Sequence, residues 1–201
     1  MRRGPHHICV PVFAFLVFSC VSSTNYYTGK TLKSEESVFV AGFEVNAMSE
    51  GFINESSNLP KVPVTASFGY SRGLDHNFEV GVRYTIPWLL EGVLRYQLPS
   101  RFTKSFDVSI NGHGILSSWS TFKYGVTISR EMYDLQPFVS FYNTTLDTGY
   151  KGKYEEMIRA INIGVGIPTE GGLIVPELNY QYSNYDKNIR IITVGIGFRI
   201  S

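Results

Sequence analysis

The sequence predicts an all-β protein, folded as a single antiparallel up-and-down transmembrane barrel of about ten strands. Apolar and polar residues alternate with period two from Ser37 to the C-terminus. Compact polar connections alternate with longer ones along the same stretch. Period-two alternation is typical of strands, because successive side chains of a strand point to opposite faces. The 201-residue chain is long enough for one such domain.

The N-terminus has the order of a secretory signal peptide. Arg2 and Arg3 precede a mostly apolar run over residues 8–18, and small residues follow it. The run is too short for a membrane-spanning helix, which needs about 20 apolar residues. We therefore expect a signal peptide over residues 1–19, a tether over 20–36 and a barrel domain over 37–201, in an exported bacterial protein.

Two processing sites follow the apolar run. The sequence Val17-Phe18-Ser19-Cys20 resembles a bacterial lipobox, in which the cysteine is lipidated and becomes the first mature residue. Phe18 departs from the small residue usual at its position. The alternative is ordinary signal-peptide cleavage at the small residues 21–23, with Cys20 discarded. Lipidation of Cys20 is favoured because a lone cysteine at the end of the apolar run is otherwise unusual.

The alternating segments define the strands in order. They span residues 39–47, 62–71, 77–86, 90–98, 105–111, 121–129, 136–142, 161–167, 174–182 and 192–200. The alternation is least regular in the seventh segment, where Phe138 stands at a position of the polar face. No segment shows a comparable helical stripe, so the count is ten, an even number.

The connections divide into two classes. Compact polar stretches at residues 72–75, 99–101, 131–134 and 168–171 follow the even-numbered strands, while longer stretches such as 49–61 and 143–153 follow odd-numbered ones. The connection at residues 86–88, after the third strand, is the short exception. Short turns at one end and longer loops at the other are typical of barrels that span an outer membrane.

A resemblance to a known group supports this interpretation. Residues 73–84 are similar to the recurring turn-plus-strand pattern of small bacterial outer-membrane β-barrel proteins, a broad and largely uncharacterised group. The closing strand, residues 192–200, resembles their C-terminal assembly signal, although Phe198 stands three positions from the end instead of at it. The resemblance implies a place in the outer membrane with lipid around the barrel, and it implies no activity.

The apolar face could point outward to lipid or inward, as in a soluble lipocalin-like barrel that binds a small apolar ligand. Several strands have the nine or more residues that a tilted strand needs to cross a bilayer. Aromatic residues stand near strand ends, as an interfacial girdle requires: Tyr70, Tyr84, Trp88, Tyr96, Tyr180 and Tyr182. The polar face is rich in Gly, Ser and Thr. The membrane interpretation is favoured, and the soluble barrel is the alternative.

The charged residues of the polar face would then lie in the lumen. If strands three and four form a hairpin around Pro87, opposite residues have numbers that sum to 174, so Glu79 faces Arg95 and Arg83 faces Glu91. Further charges of both signs share the polar faces: Glu44, Asp107, Lys123, Glu177 and Arg199. A barrel of eight strands has a lumen filled by its side chains, whereas a wide channel needs about 16 strands. Ten strands lie closer to the filled case, so we predict a plugged lumen.

The sequence contains no motif for a metal or cofactor. The one weak catalytic candidate is His113 with Ser117 or Ser118, since barrel-embedded lipid hydrolases and acyltransferases use such residues near the membrane edge. An exposed histidine at the loop end of strand five is the favoured interpretation.

The net charge of +1 indicates no nucleic-acid partner. We expect a non-enzymatic barrel in contact with outer-membrane lipid, serving as a structural element or as an accessory subunit with other outer-membrane proteins of an envelope complex.

Overall fold

The computed structural model describes residues 25–48, 64–86, 89–103, 105–116, 120–147, 155–183 and 190–201. They form a closed barrel in which each strand pairs antiparallel with its neighbours in sequence, and the first strand closes the barrel against the last. The predicted fold class is confirmed: an up-and-down antiparallel barrel of ten strands.

The ten strands have the following bounds: β1 Ser37–Met48, β2 Val64–Leu74, β3 Phe78–Thr85, β4 Leu89–Gln97, β5 Asp107–Leu116, β6 Ser120–Ser129, β7 Gln136–Asp147, β8 Glu155–Thr169, β9 Gly172–Ser183 and β10 Arg190–Ile200. Two short helical turns join them, a 3-10 turn over Asp75–Asn77 and a four-residue helix α1 over Ser100–Thr103. Within the described residues, no helix has the length and apolar character to cross a membrane.

The expected loop over residues 143–153 is much shorter than predicted. Strand β7 continues to Asp147 and β8 begins at Glu155, with Asn143 opposite Arg159 and Thr144 opposite Ile158. Asn143, Thr144 and Thr145 lack the apolar alternation that marks a strand, although threonine favours extended backbone. The pairing to β6 and β8 supplies the hydrogen bonds that the sequence pattern does not reveal.

The barrel has two ends, which we name by their connections. The turn end carries the connections after β2, β4, β6 and β8, together with the start of β1 and the end of β10. The opposite end, the loop end, carries the connections after the odd-numbered strands. At the turn end His76 and Asn77 adopt φ of 60° and 66°, and Tyr133 and Asp134 adopt 51° and 65°. Asn and Asp tolerate this left-handed region better than most residues, which suits tight turns.

The outer surface of the barrel is apolar. Outward-facing side chains along the strands stay about half exposed, including Val194 at 59 %, Ile163 at 57 % and Leu94 at 51 %. A soluble barrel would bury these apolar side chains in its interior. The soluble alternative is therefore wrong about which face of the strands points outward. Strands with an apolar outer face and a polar inner face are those of a transmembrane barrel.

Aromatic side chains border the apolar surface near both ends. Near the turn end, Phe78 packs on Tyr96 with ring centroids 4.7 Å apart. Near the loop end, Phe122 stacks on Tyr124 and Tyr180 on Tyr182, each at 5.9 Å. Trp88, which the sequence also placed in this girdle, lies outside the described residues. Aromatic rings at these two levels suit the interfaces of a bilayer.

A charge placed midway along β10 tests whether the outer face meets lipid. Val194→Arg is expected to lower the free energy of unfolding in lipid vesicles by about 2–4 kcal/mol, because an arginine at the bilayer midplane loses its hydration. The control Val194→Leu is expected to change it by less than about 0.5 kcal/mol. Urea titration of both variants measures the difference, and equal values would contradict a lipid-facing surface.

Candidate functional site: the polar lumen and the N-terminal insert

The candidate site is the interior of the barrel. Inward-facing positions carry four buried carboxylates and four buried cations: Glu44, Glu79, Glu91 and Glu177, and Arg83, Arg95, Lys123 and Arg199. They come from six of the ten strands, because every second residue of each strand faces inward. A charge removed from water is stable only when it is paired and hydrogen-bonded.

The first cluster joins β3, β4 and β5. The Arg83 Nε and Nη2 groups donate to Glu91 Oε2 at 2.7 and 2.5 Å. The other carboxylate oxygen of Glu91 contacts His113 Nδ1 at 2.6 Å. The His113 ring in turn meets Tyr142 edge to face, with centroids 5.7 Å apart. A buried carboxylate thus bridges an arginine and a histidine.

The second cluster lies closer to the turn end. Arg95 Nη1 donates to Glu79 Oε2 at 2.7 Å, and Arg95 Nε donates to Asn111 Oδ1 at 3.0 Å. Arg199 approaches the other oxygen of Glu79 at 3.5 Å. Glu79 lies directly opposite Arg95 in the sheet, and Arg83 lies opposite Glu91, so the register sums to 174. Pro87 itself lies outside the described residues.

A segment of the chain that precedes β1 occupies this interior. Residues 25–33, which we call the N-terminal insert, begin beside Glu177 midway along β9. The backbone amides of Asn25 and Tyr26 donate to the Glu177 carboxylate at 2.9 and 2.8 Å. Asn162 donates to the same carboxylate. Residues 25–29 are buried throughout.

Two wall glycines make room for the Tyr26 ring. A Cβ atom added to Gly42 or Gly197 would lie 2.2 or 2.3 Å from this ring, closer than any real contact. Gly42 and Gly197 are register partners on β1 and β10, so they form one recess in the wall. The Tyr26 hydroxyl reaches Phe43 O at 3.2 Å. Glycine at these positions is therefore required by the close approach of the insert.

The middle of the insert meets the second charge cluster. Arg95 donates to the carbonyl oxygen of Thr28. The Tyr27 ring lies between two guanidinium groups, 4.6 Å from that of Arg95 and 5.3 Å from that of Arg199. Cation–π contacts of this kind are stronger where water is excluded. The cations of the lumen thus bind the insert as well as the wall carboxylates.

The insert then descends to the turn end. The Gly29 amide donates to Ser129 Oγ at 2.9 Å, and the Leu32 amide donates to Glu79 Oε2 at 3.1 Å. At the mouth, Lys30 Nζ pairs with Glu131 at 2.6 Å. The hydrogen bond to this carboxylate raises the pKa of the Lys30 ammonium above its ordinary value. The pair is largely exposed, so it fixes position more than it adds stability.

The Tyr142 hydroxyl is the centre of a neutral network. It accepts from Asn111 Nδ2 at 3.1 Å, lies 3.2 Å from Thr127 Oγ1 and contacts the Asn25 side-chain amide. Lys123 Nζ lies 4.5 Å from the ring centroid. The network joins β5, β6 and β7 to the start of the insert.

His113 is not the exposed loop residue that the sequence favoured. It lies on the inner face of β5, fully buried, with Glu91 on Nδ1. The sequence did not reveal this position because Gly112 and Gly114, the neighbours of His113 on the outer face, have no side chains. The apolar alternation therefore cannot be recognised around His113. Ser117 and Ser118, its suggested partners, lie outside the described residues, as does Cys20. In the described ranges no three His, Cys, Asp or Glu side chains are grouped to hold a metal ion.

The insert is the feature that sequence reasoning missed, since residues 20–36 were expected to form a tether. One signal was present: Tyr26, Tyr27 and Gly29 are unusual in a flexible polar linker. Their depth in the lumen follows from contacts to residues as far as 151 positions away, which no local pattern reveals.

The solved structures that resemble this chain include two outer-surface proteins of remote likeness. Neisserial surface protein A is 14% identical, with a TM-score of 0.38, and the match covers 83% of this chain and 99% of that one. Ail, the attachment invasion locus protein of Yersinia pestis, crystallised with the heparin analogue sucrose octasulfate, is 15% identical, with a TM-score of 0.33 and the same coverage. No protein family matches the chain, and no curated protein matches it.

Neutralising Glu79 tests the charge clusters. Glu79→Gln is expected to lower the free energy of unfolding by about 3–5 kcal/mol, because Arg95 and Arg199 then remain buried without their carboxylate. The exposed Glu170→Gln is the matched control and is expected to leave stability unchanged. Urea unfolding in detergent or vesicles measures both, and equal stabilities would show that the clusters do not hold the lumen together.

Proposed function

We propose that this protein is a non-enzymatic barrel of the bacterial outer membrane, closed by its own N-terminal insert, that serves as a structural element or accessory subunit of the cell envelope. The observation that carries the proposal is the position of residues 25–29, buried among the lumen charges and hydrogen-bonded to β9 and β4 on opposite sides of the wall.

The outer-membrane location is supported by the architecture and by the sequence. An even number of antiparallel strands closed into a barrel, with short turns at one end, is the arrangement of bacterial outer-membrane barrels. The signal-like N-terminus supports export. Closure also removes the free strand edges that a bilayer does not tolerate.

A closed lumen is supported by how its polar groups are used. The Glu79 and Glu177 carboxylates and the Arg95 guanidinium each bind the insert as well as the wall. A conducting pore keeps its charges hydrated, whereas here they are buried against the chain itself. The insert therefore replaces the water column that a small porin would contain.

The absence of enzymatic activity is supported by the surroundings of His113. Its Nδ1 atom is held by Glu91, whose second oxygen binds Arg83, and all three side chains are buried. A general base must reach a substrate proton within hydrogen-bond distance. A lipid substrate outside the barrel lies across the wall from this histidine.

The accessory role is supported by side chains that project from the turn end. Tyr133 is 95 % exposed and Phe102 is 69 % exposed, and both lie in connections beyond the strands. Large aromatic residues at such positions suit contact with the membrane interface or with another envelope protein. That another outer-membrane protein binds there remains a prediction from the sequence.

Planar-bilayer recording tests the closed lumen. The purified protein is expected to show no conductance steps, and a variant that lacks residues 25–33 is expected to show them, because the deletion removes the filling of the lumen. Both proteins must first show the electrophoretic shift between unheated and heated samples that marks a folded barrel. Steps from the unaltered protein would contradict the proposal, and a silent but folded deletion variant would show that the insert is not the seal.

A further inference from the structure

We propose that Arg101 and Arg130 bind the phosphate groups of anionic glycerophospholipids in the leaflet that surrounds the turn end. Each arginine lies on an aromatic ring, and we call the four residues Arg101, Phe102, Phe106 and Arg130 the rim site. The inference rests on the outer-membrane location in the proposed function and names the partner of the aromatic surface described there.

The first half of the rim site joins two neighbouring strands. Phe106 immediately precedes β5 and Arg130 immediately follows β6, and the strand ends are paired through Asp107 and Ser129. The guanidinium carbon of Arg130 lies 5.7 Å from the centroid of the Phe106 ring. Both residues are exposed, so the guanidinium group is positioned by the ring and is still accessible from outside.

The second half of the rim site lies on the short helix α1. The guanidinium carbon of Arg101 lies 4.8 Å from the centroid of the Phe102 ring, and Phe102 is 69 % exposed. The Thr103 carbonyl accepts a hydrogen bond from the Phe106 amide at 3.2 Å, so α1 folds back on the start of β5. The two pairs of arginine and ring therefore belong to the same part of the rim.

The rim site lies at the depth of the lipid phosphates. Inward-facing residues of β6, such as Lys123 and Ser129, have odd numbers, so Arg130 continues the outward series after Ile128. Two residues of a strand tilted by about 40° correspond to about 5 Å along the barrel axis. The headgroup region extends about 5–8 Å beyond the hydrocarbon core on each side of a bilayer. Arg130 is therefore placed where the apolar surface ends and the phosphate groups begin.

The two arginines differ from the other described cations that are exposed at the turn end. Those cations have carboxylate partners within the protein: Lys30 with Glu131, Lys33 with Glu36, and Arg72 with Glu35. In the part of the chain that the structure describes, no carboxylate pairs with Arg101 or Arg130. A guanidinium group stacked on a ring keeps the N–H donors at its edge free, and their fork matches the oxygens of a phosphate. An external anion therefore suits both arginines.

The charge around the rim site favours an anionic lipid over a zwitterionic one. Asp134, on the adjoining hairpin tip, is exposed, so two positive charges stand against one negative charge. The phosphate of phosphatidylethanolamine is neutralised by the ammonium group of the same headgroup, whereas that of phosphatidylglycerol is not. The short turns of outer-membrane barrels lie on the periplasmic side, and that leaflet consists of glycerophospholipids. The predicted ligand is therefore an anionic glycerophospholipid and not the lipid A of the opposite leaflet.

The hairpin tip beside Arg130 holds a large ring in an unfavourable backbone conformation. Met132 and Leu135 form a bridge, so Tyr133 and Asp134 are the central residues of the turn, with φ of 51° and 65°. Asn-Gly is the favoured pair for two positive φ angles, and bulky residues rarely adopt them. Tyr133 is 95 % exposed, so packing within the chain does not offset this cost. Strain retained on an exposed turn points to a role outside the chain, and a tyrosine ring suits the interface of a bilayer.

Native mass spectrometry tests the rim site with the full-length protein, exported to bacterial membranes and purified in detergent. Phosphatidylglycerol and phosphatidylethanolamine with identical acyl chains are titrated, and dissociation constants are taken from the lipid-bound fractions. The unaltered protein is expected to bind phosphatidylglycerol about 25-fold more tightly, at about fivefold for each arginine near an anionic headgroup. Arg101→Gln and Arg130→Gln are each expected to reduce the preference to about fivefold, and the double variant is expected to bind both lipids equally.

Arg72→Gln is the matched control. Arg72 also faces outward at the turn end, and its side chain is 49 % exposed, but its guanidinium group is bound to Glu35. Arg72→Gln and Arg130→Gln each remove one positive charge from the rim, so a general electrostatic attraction would weaken equally in both variants. The rim site predicts an unchanged lipid preference in Arg72→Gln, and equal losses in the two variants would overturn it.

Equal binding of the two phospholipids by the unaltered protein would also overturn the inference and would favour a protein partner for this surface. Tighter binding of lipid A than of phosphatidylglycerol would overturn it as well, because the site would then face the other leaflet. If a variant lacks the electrophoretic shift of a folded barrel, the comparison of lipids on the unaltered protein still decides. A barrel that is closed in planar bilayers but has no lipid preference would overturn this inference and leave the proposed function intact.

Discussion

The structure depends on one constraint: the charges of an enclosed lumen must be neutralised and hydrogen-bonded by the chain itself. In the proposed membrane location a bilayer surrounds the apolar outer face, so the barrel cannot turn its polar residues outward. Wall pairs such as Arg83 with Glu91 satisfy part of the requirement. The rest is met by backbone groups of the N-terminal insert, which bind Glu177, Arg95 and Glu79 from the middle of the barrel to its mouth.

The wall and the insert are matched in shape as well as in charge. Gly42 and Gly197 form the recess for Tyr26, and a Cβ at Gly29 would lie 2.2 Å from the carbonyl oxygen of Asp107. The Tyr27 ring fills the space between Arg95 and Arg199. Barrel diameter grows with strand number, so a ten-strand barrel has a lumen wider than its own side chains can fill. The aromatic rings and the glycines let the insert fill the remaining space.

The barrel could be predicted from the sequence and the insert could not. Alternation along β3 and β4, with Pro87 between them, was enough to pair Glu79 with Arg95 because hairpin register is a local property. The end of β7 was missed at Asn143 and Thr144, whose strand pairing comes from β6 and β8. Tyr26 is buried by contacts with β9 and β10, which lie far from it in the sequence. The burial of His113 was hidden because its neighbours Gly112 and Gly114 carry no side chains to mark the outer face.

Hydrogen exchange tests the central claim most directly, since it needs no substitution. The amides of Tyr26, Gly29 and Leu32 donate to side chains of the lumen. In the folded protein, a peptide that covers residues 25–33 is therefore predicted to exchange at least about 100-fold more slowly than the same sequence unfolded, in the range of the strands. Exchange of that peptide at the rate of a free chain, while the strands stay protected, would show that the segment lies outside the barrel and would contradict the account.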